Sequence, residues 1–392
     1  MAGFVCPGCE QGVMETFYEV RSVPSNSCIL LESAAEALSY PRGDISLGFC
    51  PECGFISNMA FDPKLTEYSG RYEETQGFSD TFNKFHHELA QRLIDKYDLR
   101  EKDVLEIGCG KGEFITLLSE LGNNRGVGFD PGYRADRNIS EAARRVKFIT
   151  DFYSEQYSDY QADFVCCKMT LEHIHKTADF MGTVRRSIGD REDTIVFFQI
   201  PEVTRILRDC AFEDIYYEHC SYFSPGSLAR LFRNKGFRVL DIETEYGGQY
   251  LTIEARPGHG VTQPELPQEN DLEELKRSVA TFPRRCEEKF ALWRERLANY
   301  SAGNRKVVLW GSGSKGVSFL TTLDVGDAIE YVVDINPYRQ GYYMSGTGQQ
   351  IVAPEFLRDY RPDVVIVMNA IYCEEIGKAL NAMDLNPEMI AV

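Results

Sequence analysis

Hydrophobic residues recur along the chain at two spacings, one typical of helices and one typical of buried strands. Between residues 82 and 97 they fall on one side of a helix. Short apolar runs predict buried strands at residues 103–107, 126–129, 146–149, 162–167 and 194–200, with helical patterns between most of them. Strands that alternate with helices predict a parallel, doubly wound α/β sheet.

The later part of the chain departs from this pattern and then returns to it. Residues 238–243 and 250–255 predict an antiparallel edge pair joined through a Gly-Gly turn. A polar, proline-containing stretch from 257 to 267 marks a boundary, and residues 271–300 predict a long charged helix interrupted near Pro283. Strands at 306–310, 329–334 and 363–368 predict a second, smaller nucleotide-binding-type unit. We therefore divide the 392 residues into four parts, which are 1–75, 76–260, 261–302 and 303–392.

Two pairs of cysteines mark the first part of the chain. Cys6 and Cys9 form one C-x-x-C pair, and Cys50 and Cys53 form a second. Four thiolates with this spacing suit one tetrahedral zinc ion, whose binding energy can stabilise so small a unit. We expect the ion to be structural, because four thiolates leave no open position for water or substrate.

Composition and charge narrow the class of protein. The 42 basic residues against 60 acidic ones give a net charge of -18, which argues against a long nucleic acid as a partner. No apolar run approaches the ~20 residues needed to span a bilayer, so we expect no membrane partner. The first residues lack the basic start and apolar core of a signal peptide, which predicts a soluble, cytoplasmic protein. In that compartment cysteine pairs favour metal binding over disulfides.

A glycine-rich turn follows the first predicted strand of the second part. Gly108, Gly110 and Gly112 allow the backbone to approach a ligand closely, and the next helix offers free N–H groups. Glu106 lies at the end of the strand before the turn, and Asp130 ends the next strand. An acidic side chain at the second position can accept protons from both ribose hydroxyls of a nucleotide. A glycine turn that merely packs a helix on a strand would explain the glycines but not the two carboxylates.

Further candidate contacts to an adenosyl ligand follow the next two strands. Asp151 and Phe152 come after the third strand, where they can meet the adenine ring, and Lys168 follows the fourth. The segment E-I-G-C-G-K-G resembles motif I of class I methyltransferases, which use S-adenosylmethionine (SAM), more than the G-x-G-x-x-G of dehydrogenases. We therefore predict SAM as the cofactor, with a dehydrogenase-like cofactor as the alternative.

Two loops beyond the strands of this sheet concentrate histidines. His173 and His175 follow the fourth strand, and His219 follows the fifth strand and its helix. Open α/β sheets bind ligands beyond the carboxyl ends of their strands. We expect His173 and His219 to be functional, His175 to be a surface neighbour and Cys220 to be a small packing residue.

The order of these motifs resembles one enzyme family over nearly the whole chain. Two C-x-x-C pairs, E-I-G-C-G-K-G, L-E-H-I, Y-x-E-H-x-x-Y-F-S, a Gly-Gly pair and a final G-S-G-S-K-G unit follow one another. This order is similar to that of the deoxysugar C-methyltransferases, typified by the C-3'-methyltransferases of dTDP-linked 4-keto sugars. The chain departs from the family pattern at residues 168–170, where an asparagine is usual, and at residues 23–26.

The resemblance implies methylation of a carbon next to a ketone and gives roles to residues of this chain. His219 would remove the proton from that carbon, with Glu218 raising its basicity or orienting it, and Tyr216 and His173 would support the enolate oxygen. Tyr72 matches a further active-site tyrosine. In the same motif as His219, Tyr222 is a candidate substrate contact.

A second glycine turn opens the last part of the chain. Gly311, Gly313 and Gly316 follow a predicted strand, and Asp334 lies further along, a spacing that also fits an NAD site. The unit is small for a complete dinucleotide site. The resemblance implies that this turn, with Lys315, lies near the phosphates of a sugar-nucleotide substrate. A purely structural cap and a second cofactor site are the alternatives.

Three functions stay open at the level of sequence. The first is SAM-dependent C-methylation of a nucleotide-linked keto sugar, and the second is O- or N-methylation of another small metabolite. The third is a zinc- and SAM-binding assembly module without catalysis, which would leave the paired Glu218 and His219 without a role. The sequence is compatible with a monomer or a homodimer.

Overall fold

A computed structural model describes residues 3–258 and 264–392 of the chain. Three sheets organise these residues, one of four strands, one of seven and one of five. Within the described ranges no helix has both the length and the apolar character needed to cross a membrane.

The N-terminal sheet is antiparallel and was not predicted from the sequence. Its first three strands lie in the order β1, β2, β3, and both cysteine pairs lie beside them. Register shifts in β1 after Thr16 and Val20 break the regular alternation by which strands are recognised in a sequence. The elements are β1 (Glu15–Pro24), α1 (Ala34–Leu38), β2 (Arg42–Phe49) and β3 (Ile56–Asn58).

The seven-stranded sheet confirms the predicted doubly wound α/β fold. Five parallel strands run in the order β8, β7, β4, β5, β6, and the antiparallel pair β11 and β10 extends the β8 edge. Nearly all residues of β4, β7 and β8 are buried, as expected for strands covered on both faces. The elements are α2 (Asp80–Tyr97), β4 (Asp103–Ile107), α3 (Glu113–Gly122), β5 (Arg125–Phe129), β6 (Val146–Ile149), β7 (Phe164–Lys168), α4 (Thr177–Ile188), β8 (Ile195–Pro201), α5 (Val203–Asp209), β9 (Ser221–Tyr222), α6 (Pro225–Asn234), β10 (Phe237–Glu245) and β11 (Tyr250–Pro257).

The short strand β9 lies between α5 and α6 in the chain but is the fourth strand of the N-terminal sheet. Tyr222 pairs with Ile56 and Ser221 pairs with Ser57, both antiparallel. The Cys220 carbonyl accepts hydrogen bonds from the Asn58 N–H and from the Ser57 hydroxyl. The loop that carries His219 is therefore held by the same sheet that carries the cysteine pairs.

Helix α7 (Leu272–Ala302) is continuous through Pro283, so the predicted interruption is wrong. One face of the helix is buried along its whole length, from Leu275 through Phe282 and Trp293 to Tyr300. A proline inside a helix removes one backbone hydrogen bond at a cost of about 3 kcal/mol. Burial of a face 31 residues long outweighs that cost.

The C-terminal sheet has five parallel strands in the order β14, β13, β12, β15, β16. It confirms the predicted second, smaller α/β unit. The two edge strands were not predicted. The elements are β12 (Val307–Trp310), α8 (Ser314–Leu323), β13 (Tyr331–Val333), β14 (Gln350–Val352), α9 (Leu357–Tyr360), β15 (Val364–Val367), α10 (Cys373–Asn381) and β16 (Glu388–Ala391).

One hydrophobic cluster connects the N-terminal sheet, α7 and the C-terminal sheet. The ring centroids of Tyr18 and Phe282 lie 5.1 Å apart, and those of Trp293 and Phe319 also lie 5.1 Å apart. The predicted boundary between residues 260 and 261 lies outside the described residues. Because the units share a core, the limits at 75 and 302 stay predictions.

Candidate active site

The four cysteines of the two C-x-x-C pairs form one cluster, with their sulfur atoms all within 4.8 Å of one another. The Sγ atoms of Cys6 and Cys53 are 3.7 Å apart, and those of Cys9 and Cys50 are 3.8 Å apart. Two sulfurs bound to one tetrahedral zinc ion at about 2.3 Å lie about 3.8 Å from each other. The donor set and its spacing therefore fit a structural zinc ion.

The first glycine turn lies between the ends of β4 and β5. Gly108 has a φ of 71°, and a Cβ atom there would lie 1.9 Å from the Thr170 Oγ1, so no other residue fits. The Asp130 carboxylate accepts hydrogen bonds from the N–H groups of Gly110, at 2.9 Å, and Gly132, at 2.7 Å. Gly112 begins α3 with a φ of 81°. The predicted turn and its acidic partner are thus adjacent, and the ribose contact of Asp130 stays a prediction.

Buried Glu106 and partly buried Lys168 are two groups of opposite charge that interact near this turn. The Glu106 carboxylate accepts a hydrogen bond of 3.0 Å from the Ile115 N–H at the start of α3. The Lys168 ammonium lies 2.8 Å from the His86 Nε2 and 4.3 Å from the centre of the Phe114 ring. Burial raises the pKa of Glu106 and lowers that of Lys168, and the attraction between the two charges opposes both shifts. His86 was not identified from the sequence, because its spacing matches the apolar face of α2.

A segment from the N-terminal part covers the glycine turn. Lys111, in the centre of the turn, is buried and donates to the backbone carbonyls of Tyr72, at 2.8 Å, and Gly132, at 3.2 Å. It also pairs with the Glu74 carboxylate at 3.2 Å. Burial raises the pKa of Glu74 to about 7. Sequence reasoning missed both Lys111 and Glu74, because nothing local links residue 74 to residue 111.

Asp151 and Phe152 follow β6, whose last residue, Ile149, accepts a hydrogen bond from the Asp130 N–H. The Asp151 carboxylate accepts hydrogen bonds from the Phe152 N–H at 2.8 Å and from the side chains of Gln156 and Tyr157. Phe152 is 60% exposed, and its ring centroid is 6.4 Å from that of Tyr68. Their contact with adenine stays a prediction.

His173 and His219, from the two histidine loops, lie in one cluster, and their functional role stays a prediction. Their ring centroids are 4.9 Å apart. The Tyr216 hydroxyl lies 2.6 Å from the His219 Nε2, and the Tyr68 hydroxyl lies 2.9 Å from the His173 Nδ1. Burial lowers the pKa of His173 to about 4 and holds that of His219 well below its ordinary value. Both imidazoles are therefore neutral near pH 7, the form in which a histidine can accept a proton.

Glu218 is turned away from His219, so the expectation that it orients this imidazole directly is wrong. Its carboxylate accepts hydrogen bonds from the Asn26 amide at 3.0 Å and from the N–H of Ser27 at 2.9 Å, and also from the Ser27 hydroxyl. Within residues 3–258 and 264–392, no hydrogen bond joins it to the His219 ring. The backbone makes a turn here, in which the His219 N–H donates to the Tyr216 carbonyl, and the N-terminal part takes up the Glu218 carboxylate. The nearest carboxylate to His219 is that of Glu172, which sequence reasoning missed.

Tyr72 and Tyr222, the other two tyrosines predicted to lie in the site, differ in position. Tyr72 lines the same cavity as His173 and His219, with its ring centroid 5.3 Å from that of Tyr68. Tyr222 is 3% exposed, lies on β9 in the hydrophobic core, and is not among the residues that line the cavity. Its strand position directs the side chain into the core, which disfavours the predicted substrate contact.

A cavity of about 430 Å³ separates the histidine cluster from the second glycine turn. Gly311, Gly313, Lys315 and Gly316 all line it. Gly313 is the N-cap residue of helix α8 and provides no side-chain cap. A Cβ atom at Gly313 would meet no other atom within 4 Å. The first N–H groups of α8 are thus open to the cavity, a favourable place for an anion.

Charged side chains from both the methyltransferase unit and the C-terminal unit line the cavity. The Lys315 ammonium donates to the Asp214 carboxylate at 3.0 Å and to the Gln249 side-chain oxygen at 3.1 Å. Arg205 pairs with the same Asp214 carboxylate. Arg339 is buried and donates to the Ser312 hydroxyl at 2.7 Å. Arg205 and Arg339, both cavity-lining, were not found from the sequence, because each belongs to an unremarkable local pattern.

The second turn also holds its own acidic residue. The Asp334 carboxylate accepts hydrogen bonds from the N–H of Ser312 at 2.9 Å, from the Ser312 hydroxyl and from the N–H of Asn336 at 2.8 Å. Arg339 lies 3.9 Å from the same carboxylate. These contacts stabilise the turn itself.

Two family comparisons match most of the chain. Residues 79–242 match a family described as a methyltransferase domain, and residues 264–387 match one described as a C-methyltransferase C-terminal domain. The chain is a SAM-dependent C-methyltransferase. This C-methyltransferase is 26% identical over 325 residues to the C-methyltransferase NovU of Streptomyces niveus, a match that covers 78% of this chain and 76% of NovU.

Other similarities are confined to part of the C-methyltransferase. The ribosomal protein L11 methyltransferase of Haemophilus influenzae (strain PittEE) is 26% identical over 140 residues, which cover 34% of this chain and 42% of that protein. The PH0226 protein of Pyrococcus horikoshii OT3 is a solved structure with 18% identity and a TM-score of 0.37, covering 47% of this chain and 96% of its own.

Proposed function

We propose that this C-methyltransferase methylates a carbon next to a ketone in a nucleotide-linked deoxysugar of the dTDP type. The observation that carries the proposal is the cavity of about 430 Å³, which places the neutral His219 opposite the open start of α8. A substrate that spans it would present a sugar to the histidines and an anionic group to the C-terminal unit.

The C-terminal side of the cavity has the chemistry that a diphosphate requires. Free N–H groups at the start of α8 and the cations of Lys315, Arg205 and Arg339 lie on or beside it. Helix N-termini and guanidinium groups both favour phosphate oxygens. The net charge of -18 makes this local concentration of cations notable, because the rest of the protein repels phosphate.

The histidine side of the cavity has the chemistry that enolate formation requires. Neutral His219 is a base of suitable protonation state for the acidic proton next to a ketone. The Tyr216 hydroxyl and the His173 ring lie within the same cluster and can donate hydrogen bonds to the negative charge that develops on the ketone oxygen. Tyr72 closes this side of the cavity from the N-terminal part.

SAM, when bound, supplies the electrophilic methyl group. In our proposal its nucleoside part lies at Gly108, Gly110 and Gly112 with its ribose on Asp130, and its adenine lies at Asp151 and Phe152. Buried Glu106 and partly buried Lys168 set the charge beside the turn. The ion pair between Lys111 and Glu74 holds the segment around Tyr72 and Glu74 over the SAM site.

A zinc ion on Cys6, Cys9, Cys50 and Cys53 would be structural in this proposal. It would fix the sheet that receives β9, and through β9 the loop with Glu218 and His219. The N-terminal part thus contributes Tyr72 to the cavity, and Asn26 and Ser27 to the support of Glu218.

Incubation with SAM labelled with ¹³C in its methyl group and a panel of dTDP-4-keto-6-deoxyhexoses tests the proposal. We expect a product whose labelled methyl couples to a ring carbon in a carbon–proton correlation spectrum. A labelled methyl attached to oxygen or nitrogen would support the alternative methyltransferase function, and an H219N variant with the rate of the wild type would exclude His219 as the base.

A further inference from the structure

Glu172 is a buried glutamate beside the histidine cluster. It belongs to the L-E-H-I motif, but neither the family resemblance nor the proposed function gives it a role. It lies in the turn after β7 and is 2% exposed. Its Oε1 lies 4.0 Å from the His219 Nε2, and it lines the cavity together with His173. Among residues 3–258 and 264–392, neither of its carboxylate oxygens has a hydrogen-bond partner.

No lysine or arginine of the described residues forms an ion pair with the Glu172 carboxylate. The titratable groups that face it are His173, His219, Tyr68, Tyr216, Tyr250, Cys167 and Cys220. All of these side chains are neutral near pH 7. A buried carboxyl group without a partner is unfavourable, and in a native structure it calls for an explanation.

A second buried atom without a partner in the described ranges, the Nδ1 of His219, indicates why a carboxyl group is buried here. His219 Nδ1 is also buried and without a partner in the described part of the chain, while Nε2 meets the Tyr216 hydroxyl at 2.6 Å. A histidine that accepts a proton becomes an imidazolium, which is unstable in a buried site unless a negative charge lies nearby. Glu172 is the carboxylate within reach, since Glu218 is bonded to Asn26 and Ser27.

We propose that Glu172 is a positioning residue for methyl transfer, whose carboxylate stabilises the imidazolium that His219 becomes when it removes the proton from the acceptor carbon. This inference rests on the proposed function. It differs from the role that the family motif implies, because it gives the charge-balancing part to Glu172 and not to Glu218.

The step balances in atoms and charge. The C–H bond next to the ketone breaks, its proton passes to His219, and its electron pair becomes the enolate. That pair forms the new C–C bond with the methyl group of SAM, while the S–CH₃ bond breaks with its electrons on sulfur. The positive charge of the sulfonium is thereby replaced by that of the imidazolium, which Glu172 balances until the proton leaves to water.

The proposal predicts a pH dependence that the isosteric glutamine variant lacks. Burial raises the pKa of Glu172 to about 8. The carboxyl group is therefore mostly protonated at pH 7 and becomes ionised as the pH rises through about 8, so the rate of methyl transfer should rise over that interval. Glutamine in its place is neutral at every pH.

Full-length wild type, E172Q, E172D and E254Q are compared for kcat and KM between pH 6 and pH 9, with SAM and dTDP-4-keto-6-deoxyglucose as probes. Glu254 is a buried glutamate of β11 outside the cavity, so E254Q is the matched control. We expect E172Q to lose about 100-fold in kcat at pH 9 with KM for SAM unchanged. The rise near pH 8 should be absent in E172Q and retained in E172D and E254Q. A wild-type rate and pH profile in E172Q would overturn the proposal.

A second measurement does not depend on turnover. In protein labelled with ¹⁵N at histidine, with the His219 signals assigned from H219N, the wild type should show a change of the His219 shift with a midpoint near pH 8. E172Q should not show it. Absence of turnover by the wild type with this change present contradicts the proposed function alone, and absence of the change in the wild type contradicts the role of Glu172.

Discussion

The Lys315 ammonium of the C-terminal unit lies 3.0 Å from the carboxylate of Asp214, which follows α5 in the methyltransferase unit, and both residues line the cavity. Arg205 binds the same carboxylate. One anionic side chain thus holds two cations in place at the edge of the cavity. A diphosphate can replace Asp214 as the partner of these two cations, because phosphate oxygens accept the same hydrogen bonds.

Replacement of Lys315 tests this arrangement. We expect K315A to raise KM for the dTDP-keto sugar about tenfold, because one charged contact to phosphate is lost, and to leave the affinity for SAM unchanged. K378A removes an exposed lysine of α10 and should leave both values unchanged. Equal KM values for K315A and the wild type would place the phosphates elsewhere.

Removal of the zinc ligands tests the link between the cysteine cluster and the active site. C50S should lower the zinc content and the Tm, and it should lower kcat more than it weakens SAM binding. The reason is that β9 joins the loop of His219 to the sheet beside the cysteines, whereas the glycine turn belongs to another sheet. Zinc content is measured by atomic emission and SAM affinity by calorimetry. A metal-free C50S protein with wild-type kcat would show that the two are independent.

Protonation of His173 should weaken the fold in acid. Its pKa is lowered to about 4 by burial, below the ordinary value of 6.5, so between these values the unfolded chain binds a proton that the folded chain does not. The free energy of unfolding therefore falls as the pH drops, by about 2 kcal/mol between pH 7 and pH 5 from this residue. Urea unfolding at the two pH values should show a fall in the wild type that is smaller by this amount in H173N. An equal fall in both proteins would mean that His173 is not held neutral.

Helix α7 offers a test of stability away from the site. Pro283 cannot donate a backbone hydrogen bond within this helix, so P283A should raise the free energy of unfolding by about 1–3 kcal/mol. Thermal unfolding measures the change, and kcat should stay the same. A lower Tm for P283A would show that the proline fits a local bend that alanine does not.

The sequence allowed prediction of the features that depend on local patterns. The strands β4, β7 and β8 are continuous apolar runs, and Gly108 and Asp130 are placed by their strands, so the sheet and the glycine turn could be found directly. The interruption predicted at Pro283 was wrong because the local rule for proline takes no account of packing, and this helix buries one face along its 31 residues.

Features that depend on contacts between distant residues could not be predicted. Strand β9 has two residues, too few for any periodicity, yet its pairing with Ile56 and Ser57 joins two units. Glu218 stands next to His219 in the sequence, but its carboxylate meets Asn26, 192 residues away. Glu172 also has a histidine as its neighbour in sequence, and the carboxylate that faces His219 could be identified only from the folded chain.

Hydrogen exchange at the acceptor carbon tests the central claim most directly. The dTDP-4-keto sugar that proves to be the substrate is incubated with the enzyme in D₂O without SAM, and proton NMR follows the hydrogens next to the ketone. The account predicts exchange of the hydrogen at the methylated carbon by the wild type and its loss in H219N, because His219 forms the enolate. Methyl transfer by an enzyme that catalyses no such exchange, with or without S-adenosylhomocysteine present, would contradict it.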